Sequence, residues 1–201
     1  MTARRDGTVP IIRHGRVYLR PAERSDIPLF VRWLNDARTS RTLAAVAPLS
    51  IPLEEAWFER TVEAQGRDGY HFTICLLEDD RPIGTVGLFG LDLRNGNAAL
   101  GITIGDPADT NQGLGTDALR ALVGWAFDML RLERVWLDVY DFNPRARSVY
   151  ERIGFVFEGT QRHAIFRHGA FVDVHRLAVL SGEWRALQAA SPEPRAGEEA
   201  R

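Results

Sequence analysis

The residues best suited to chemistry lie at positions 112–116, where Gln-Gly-Leu-Gly-Thr directly precedes a run with helical periodicity. Gly113 and Gly115 have no side chain, so a ligand can approach the backbone of this turn closely. The first N–H groups of a helix have no intrahelical acceptor, and they lie at the positive end of the helix dipole. This arrangement favours an anion such as a pyrophosphate and predicts a site for a phosphorylated cofactor.

The helix that follows the loop is predicted from one apolar stripe about three turns long. Thr116 and Asp117 are expected to supply its capping and first-turn chemistry. A second interpretation stays open at this point, because two glycines in a loop can also serve only to make a tight turn. The stripe consists of Leu119, Leu122, Val123, Ala126, Phe127 and Leu130.

Neighbouring residues separate the cofactor classes that such a loop can bind. The chain contains no lysine, which excludes a Walker A nucleotide loop. Gly113, Gly115 and Ala118 fit a dinucleotide fingerprint, and Asp138 lies at a suitable distance for a ribose contact. The preceding strand, however, is predicted to end near Ile104, whereas the dinucleotide turn follows its strand directly. Acyl-coenzyme A is the third class.

Several motifs are similar to those of one enzyme family. Residues 110–115, Thr-Asn-Gln-Gly-Leu-Gly, resemble the R/Q-x-x-G-x-G/A pyrophosphate loop of the GNAT superfamily of acetyl-CoA-dependent N-acetyltransferases. Residues 135–140 and 143–155 are similar to the family's next strand, its N-x-x-A helix and its Y-x-x-x-G-F ending. Residues 15–21 and Asp26 resemble the opening strand of the branch that contains ribosomal-protein N-terminal and polyamine acetyltransferases.

The resemblance covers residues 15–184 and implies the fold. The expected class is α/β, with a twisted, mostly antiparallel sheet of six to seven strands, a splayed central strand pair and flanking helices. Residues 1–14 are interpreted as an N-terminal arm and residues 15–184 as a single acetyltransferase domain. Residues 185–201 are expected to form a disordered tail, because the composition turns to Ala, Glu, Pro and Arg.

Apolar patterns along the chain predict the elements that position these residues. A helix is expected from Ser25, with Pro28 near its start, and another from Ser50. Asn95-Gly96 between two alternating runs predicts a hairpin. Further strands are predicted at 15–20, 70–77, 82–89 and 98–104 and from 135, 155 and 170, with a further helix from 144.

The resemblance implies that acetyl-CoA is the cosubstrate and indicates which residues bind it. The backbone of Ile102, Thr103 and Ile104 leads into the loop and is expected to bind the pantetheine arm and the thioester. Asn143 is expected to bond the pantetheine arm or simply to cap its helix, and Arg145 to meet the phosphate of the adenosine or to lie on a solvated face. The predicted loop ligands are Gln112, Gly113, Leu114, Gly115 and Thr116.

Tyr150 is the candidate general acid. It shares a helical stripe with Asn143, Ala146 and Ile153, and an aromatic residue on such a stripe is commonly a core residue. The resemblance implies the catalytic role, because the family's acid tyrosine stands at this place before x-x-x-G-F. A phenol with an ordinary pKa of about 10 is protonated at pH 7 and can protonate a departing thiolate.

The general base is not evident in the sequence. Related proteins often carry Glu where this chain has Ala99, so Asp138, Asp92 and His163 are the alternatives, or the substrate needs little help. An α-amine with a pKa of about 7.7 to 8.0 is about a tenth neutral at pH 7, unlike a polyamine nitrogen near 10.4. This favours an α-amine or another amine of low pKa as the acceptor.

Composition limits the partners and the location. A formal net charge of -2 gives no electrostatic basis for binding nucleic acid or an anionic membrane. The histidines show no metal-ligand spacing, so no metal is expected. One cysteine, Cys75, and the absence of a signal-like or membrane-spanning apolar run predict a cytoplasmic protein. The expected partner is an amine, either a small molecule or a protein N-terminus, and the chain is expected to be a monomer or a homodimer.

Two functions follow from these observations. The first is an acetyl-CoA-dependent N-acetyltransferase in which the amine attacks the thioester directly, without a covalent enzyme intermediate. The alternative is a catalytically silent acyl-CoA-binding module. Two departures from the family pattern keep the second function open. They are Ala99, where related proteins often have Glu, and Thr110, where the family usually has Arg or Gln.

Overall fold

The predicted strands form one mixed sheet in the computed structural model, which describes residues 8–43, 48–167 and 169–190. Helices pack against this sheet from both faces. The strands are β1 (Ile12–His14), β2 (Val17–Pro21), β3 (Gly69–Leu76), β4 (Pro82–Asp92), β5 (Asn97–Ile104), β6 (Arg134–Tyr140), β7 (Val156–Arg167) and β8 (Ala170–Leu180). The helices are α1 (Ile27–Leu34), α2 (Ala37–Ser40), α3 (Ile51–Ala64), α4 (Leu114–Met129), α5 (Pro144–Arg152) and α6 (Ser181–Ala190).

The order of strands across the sheet is β1-β2-β3-β4-β5-β6-β8-β7. Only β5 and β6 run parallel, and the other neighbouring pairs are antiparallel. The predicted mixed, mostly antiparallel α/β fold is therefore confirmed. Within the described residues the sheet has eight strands rather than six or seven.

One predicted domain boundary falls at the turn of a hairpin and the other inside a helix. β1 pairs with β2, with Ile12 opposite Leu19, so the sheet begins within the segment interpreted as an arm. At the other end α6 continues past position 184, because Trp184 packs its ring 6.3 Å from Phe127 in the core. The remaining parts of the expected arm and tail, residues 1–7 and 191–201, lie outside the described residues.

The two faces of the sheet carry different helices because side chains alternate along a strand. On β3, the rings of Tyr70 and Phe72 lie 4.9 and 5.4 Å from Trp125 of α4. His71, between them, points to the other face, and its ring lies 5.3 Å from Trp57 of α3. The predicted stripe of α4 is buried from Leu119 to Phe127 and forms much of the core.

A buried ion pair fixes the connection from β2 to α1. Both carboxylate oxygens of Asp26 accept hydrogen bonds from the guanidinium of Arg20, at 2.7 and 2.8 Å, and Thr73 on β3 donates a further one at 3.0 Å. Burial alone would raise the pKa of Asp26, but these bonds outweigh it and lower the pKa. In the part of the chain that the structure describes, no helix is both long and apolar enough to span a membrane.

Candidate active site

The parallel strands β5 and β6 separate partway along their length. They are paired only where Asn97, Ala98 and Ala99 lie opposite Arg134 to Trp136. Beyond this point β5 stays paired with β4 as far as Ile104, and β6 stays paired with β8 as far as Tyr140. The resulting gap leaves one edge of β5 free to bond a ligand. The predicted splayed strand pair is therefore present.

A cleft of about 1340 Å³ occupies this gap. Its walls come from β4 and β5, the start of α4, the end of β6, α5, and the segment from α1 to α3. Every predicted site residue lines the cleft except Gln112. The ones that do are Ile102, Thr103, Ile104, Gly113, Leu114, Gly115, Thr116, Asn143, Arg145 and Tyr150.

The start of α4 presents backbone donors to the cleft. Gly113 is the N-cap, with a positive φ of 82° that glycine adopts without strain. The first helical bond runs from the Asp117 N–H to the Gly113 carbonyl at 3.0 Å. The N–H groups of Leu114, Gly115 and Thr116 therefore have no helical acceptor. Thr116 and Asp117, which were expected to supply capping and first-turn chemistry, both lie in the first turn, and Gly113 holds the cap position.

Polar side chains in the preceding loop hold the loop itself. The amide of Gln112 donates to the Ala108 carbonyl at 2.7 Å, and the Thr110 hydroxyl donates to the Pro107 carbonyl, also at 2.7 Å. The guanidinium of Arg16 donates to the carbonyl of Gln112. The side chain of Gln112 is thus engaged within the loop, and it is the backbone of the next residues that faces the cleft.

Tyr150 borders the cleft from α5. Its ring packs 6.0 Å from Phe155 and against the core. Within the described residues its hydroxyl makes no hydrogen bond and is not sealed from solvent, so it is open to the cleft. Burial raises the pKa of Tyr150 to about 12. The phenol therefore stays protonated throughout the physiological range.

The start of α5 brings two further predicted ligands to the cleft. Asn143 is the N-cap of α5, and its side-chain oxygen accepts a hydrogen bond from the Ala146 N–H at 3.2 Å. This leaves the amide NH₂ of Asn143 as a donor for a ligand. Arg145 is exposed, lines the cleft and has no ion-pair partner in the described chain.

The base candidates drawn from the sequence are engaged elsewhere. Both carboxylate oxygens of Asp138 accept hydrogen bonds from Arg176 at 2.9 Å. The carboxylate of Asp92 holds the turn at Asn95, and His163 stacks on an aromatic ring of β8 away from the cleft. Asp138 lines the cleft but is paired with Arg176, and Asp92 and His163 do not line the cleft.

Sequence reasoning missed two titratable groups that line the cleft, Glu54 and His71. Glu54 on α3 is only 6% exposed, and no ion pair or hydrogen bond to its side chain occurs among the described residues. Burial raises the pKa of Glu54 and lowers that of His71 to about 4. No local signal marks either residue, because their placement depends on how α3 and β3 meet.

These residues fit a coenzyme A thioester. Three unpaired N–H groups at a helix start suit a diphosphate, the free edge of β5 suits the amides of a pantetheine arm, and Arg145 supplies an unpaired cation. Within the described ranges, no three His, Cys, Asp or Glu side chains lie together as metal ligands.

Comparison with known proteins points to one family. A family model described as an acetyltransferase (GNAT) domain matches residues 16–156. The probable N-acetyltransferase YjcK of Bacillus subtilis is 36% identical over 129 residues, which cover 61% of this chain and 70% of that protein. The putative ribosomal N-acetyltransferase YdaF of the same organism is 35% identical over 54% of this chain and 59% of its own length.

The fold agrees with this match. The crystal structure of spermidine N-acetyltransferase from Vibrio cholerae in complex with CoA and spermine superposes with a TM-score of 0.78, at 23% identity, over 85% of this chain and 98% of that one. The spermidine N(1)-acetyltransferase of Escherichia coli is 27% identical over 85% of this chain and 89% of its own length. The comparisons therefore agree in the fold and in the type of reaction named.

Proposed function

This chain belongs to the GNAT family of acetyltransferases, and we propose that its cleft is where an acetyl group passes from acetyl-CoA to a primary amine. The observation that carries the proposal is the gap between β5 and β6, which the start of α4 and the phenol of Tyr150 both border. Membership of a family of transferases favours an enzyme over a silent binding module.

The backbone does most of the cofactor binding in this proposal. The N–H groups of Leu114, Gly115 and Thr116 bind the diphosphate, and the free edge of β5 from Ile102 to Ile104 binds the pantetheine arm. Arg145 and the amide of Asn143 add side-chain contacts. Bound acetyl-CoA supplies an activated acetyl group, and the chain supplies its orientation.

Tyr150 acts as the general acid in this scheme. Loss of the thiolate is favoured when a proton reaches the sulfur, and a positioned acid typically contributes about 10² to 10⁴ in rate. The raised pKa of Tyr150, about 12, keeps the proton on the phenol until charge develops on the sulfur. Its hydroxyl, open to the cleft and without a hydrogen-bond partner in the described chain, is available for this transfer.

The test is Tyr150→Phe, assayed by thiol release with a panel of primary amines. We expect turnover to fall by about 10² to 10⁴ while the heat of acetyl-CoA binding persists. Tyr70→Phe is the matched control, because Tyr70 packs against α4 and does not line the cleft. A Tyr150→Phe enzyme with wild-type turnover would remove Tyr150 from the mechanism, and absence of thiol release by the wild type with every amine would remove the function.

The charges around the cleft favour an acceptor that is not a polycation. Of the carboxylates that line it, Asp109 and Asp138 are each held by an arginine at two oxygens, which leaves Glu54. Arg41 and Arg60 also line the cleft, and neither has an ion-pair partner in the described chain. A single ammonium group is attracted to Glu54, whereas a polyamine also meets unpaired guanidinium groups.

We therefore propose an amine with a single positive charge, such as a peptide or amino-acid α-amine, as the acceptor. The measurement is kcat/KM for a short peptide with a free N-terminus compared with that for spermidine. We expect a higher kcat/KM for the peptide. The ratio of the two kcat/KM values should fall in Arg60→Ala, because one guanidinium that repels the polyamine is removed. A preference for spermidine in the wild type would contradict this assignment of the acceptor without affecting the proposed transfer.

A further inference from the structure

A row of three residues crosses the sheet at the point where the gap opens. His71 on β3 lies opposite Gly87 on β4, and Gly87 lies opposite Gly101 on β5. Residues directly opposite each other in antiparallel strands point to the same face. Because two of the three are glycines, no side chain of the row itself stands between His71 and the backbone of β5, about 10 Å away.

The backbone at both glycines is closely covered by rings. A Cβ atom at Gly87 would lie 3.1 Å from Nδ1 of His71, so the imidazole lies over this glycine. A Cβ atom at Gly101 would lie 3.0 Å from Cε2 of Phe89. The rings of His71 and Phe89 therefore cover the two glycines, next to Ala99, the last residue of β5 that pairs with β6.

Two aromatic neighbours hold the imidazole of His71 in place. The rings of Phe89 and Trp57 meet it edge-on, with centroids at 4.6 and 5.3 Å. Within the described residues neither ring nitrogen of His71 makes a hydrogen bond, and neither is sealed from solvent. His71 is thus fixed in orientation, faces the cleft and has a nitrogen available to accept a proton.

We propose that His71 is the general base of the acetyl transfer, which rests on the function proposed above. The bound ammonium first releases one proton to solvent. The neutral amine nitrogen then forms a bond to the carbonyl carbon, the carbon–sulfur bond breaks, and the nitrogen loses its second proton. That proton passes to a ring nitrogen of His71, directly or across one water molecule, while Tyr150 protonates the sulfur. The products are the amide and the free thiol, and proton exchange with solvent returns both side chains to their starting states.

The protonation state of His71 suits this role. With a pKa of about 4 the imidazole is neutral at physiological pH, so its lone pair is available. The attacking nitrogen becomes more acidic as its bond to the carbonyl carbon forms and the amide develops, so a base weaker than free imidazole can take its proton. On α3, which packs against β3, Glu54 and Arg60 are the charged groups that also line the cleft. On β4 and β5 the residues beside the imidazole are Gly87, Phe89 and Gly101, none of which titrates.

The experiment compares His71→Ala and His71→Gln with the wild type, using the peptide or amino acid that gives the highest wild-type turnover. We expect kcat to fall by about 10² to 10⁴ in both variants, while the heat of acetyl-CoA binding is unchanged. Added imidazole is expected to restore the turnover of His71→Ala in proportion to its concentration and to leave the turnover of the wild type unchanged. His163→Ala, a histidine outside the cleft, is the control and is expected to retain wild-type turnover.

Two results would overturn the proposal. The first is a His71→Gln enzyme within tenfold of wild-type kcat, since glutamine cannot accept the proton. The second is loss of activity in His71→Ala that no concentration of imidazole restores, which would assign His71 a packing role against Trp57 and Phe89. In either case wild-type thiol release would still support the transferase, whereas an inactive wild type would refute the transferase itself.

Discussion

Glu54 is held in the folded protein at a cost in stability. Its side chain is nearly buried, and it has neither an ion pair nor a hydrogen bond in the described part of the chain. An ionised carboxylate in such a place is unfavourable unless a partner compensates for its lost hydration. The burial that raises the pKa of Glu54 therefore also lowers the stability of the ionised folded state. The ammonium group of the proposed acceptor would supply the missing partner.

Replacement of Glu54 by glutamine should remove this cost and raise the stability of the folded protein by an amount that depends on pH. Because the folded-state pKa is raised, the stability linked to the protonated carboxyl is present below the unfolded value of about 4.3 and is lost as pH rises through the folded value. Glu54→Gln should therefore melt higher than the wild type at pH 8, by about 2 to 4 °C for each kcal/mol. The difference should shrink toward pH 4, as measured by calorimetry. If the melting temperature of the wild type instead rose relative to that of the variant as pH increased, the carboxylate would have a stabilising partner.

The start of α5 combines a structural and a binding role in one side chain. The side-chain oxygen of Asn143 caps the helix, and its NH₂ group remains for the cofactor. Loss of an N-cap typically costs about 1 kcal/mol, which corresponds to about 2 to 4 °C in melting temperature. Asn143→Ala should therefore lower the melting temperature, whereas Asn143→Asp keeps the cap acceptor and should not. Both variants should bind acetyl-CoA more weakly in calorimetric titrations, because both lack the amide donor.

A cap on another helix controls for destabilisation alone. Ser50 caps α3, where its hydroxyl accepts from the Leu53 N–H at 3.4 Å. Ser50→Ala should lower the melting temperature without weakening the binding of acetyl-CoA. If Asn143→Asp were destabilised as much as Asn143→Ala, capping would not be the structural role of Asn143. If its affinity for acetyl-CoA matched the wild type, the proposed contact to the pantetheine arm would be wrong.

Elements governed by local spacing were predictable from the sequence, and contacts between distant elements were not. The stripe of α4, the cap at Asn143 and the hairpin at Gly96 each depend on a few neighbouring residues, and the structure contains all three. β1 is only three residues long, too short for a reliable alternating pattern. His71 becomes a candidate only because two separate strand pairings align it with Gly87 and Gly101.

At the scale of the whole molecule, the sheet consists of two parts that are joined at few positions. β1 to β5 form one part and β6 to β8 the other. In the described part of the chain, the only strand pairing between them is the three-residue match that ends at Ala99 and Trp136. Beyond this match β5 and β6 form no backbone hydrogen bonds with each other, and the cleft lies between them. A thioester ligand in the cleft would therefore add contacts to both parts, and its binding should stabilise the protein as a unit.

Hydrogen exchange can test this bridging role directly. Saturating acetyl-CoA should slow exchange of the amides at 101–104 and 113–116 by more than the global stabilisation alone, whereas paired amides of β2 and β3 should slow only by the global amount. A ligand at 100 times its Kd adds about 2.7 kcal/mol to the stability, so the melting temperature should rise as well. Adenosine 3′,5′-diphosphate lacks the pantetheine arm and is the matched probe. It should leave the edge of β5 unprotected, and equal protection of that edge by both ligands would contradict the proposed path of the arm.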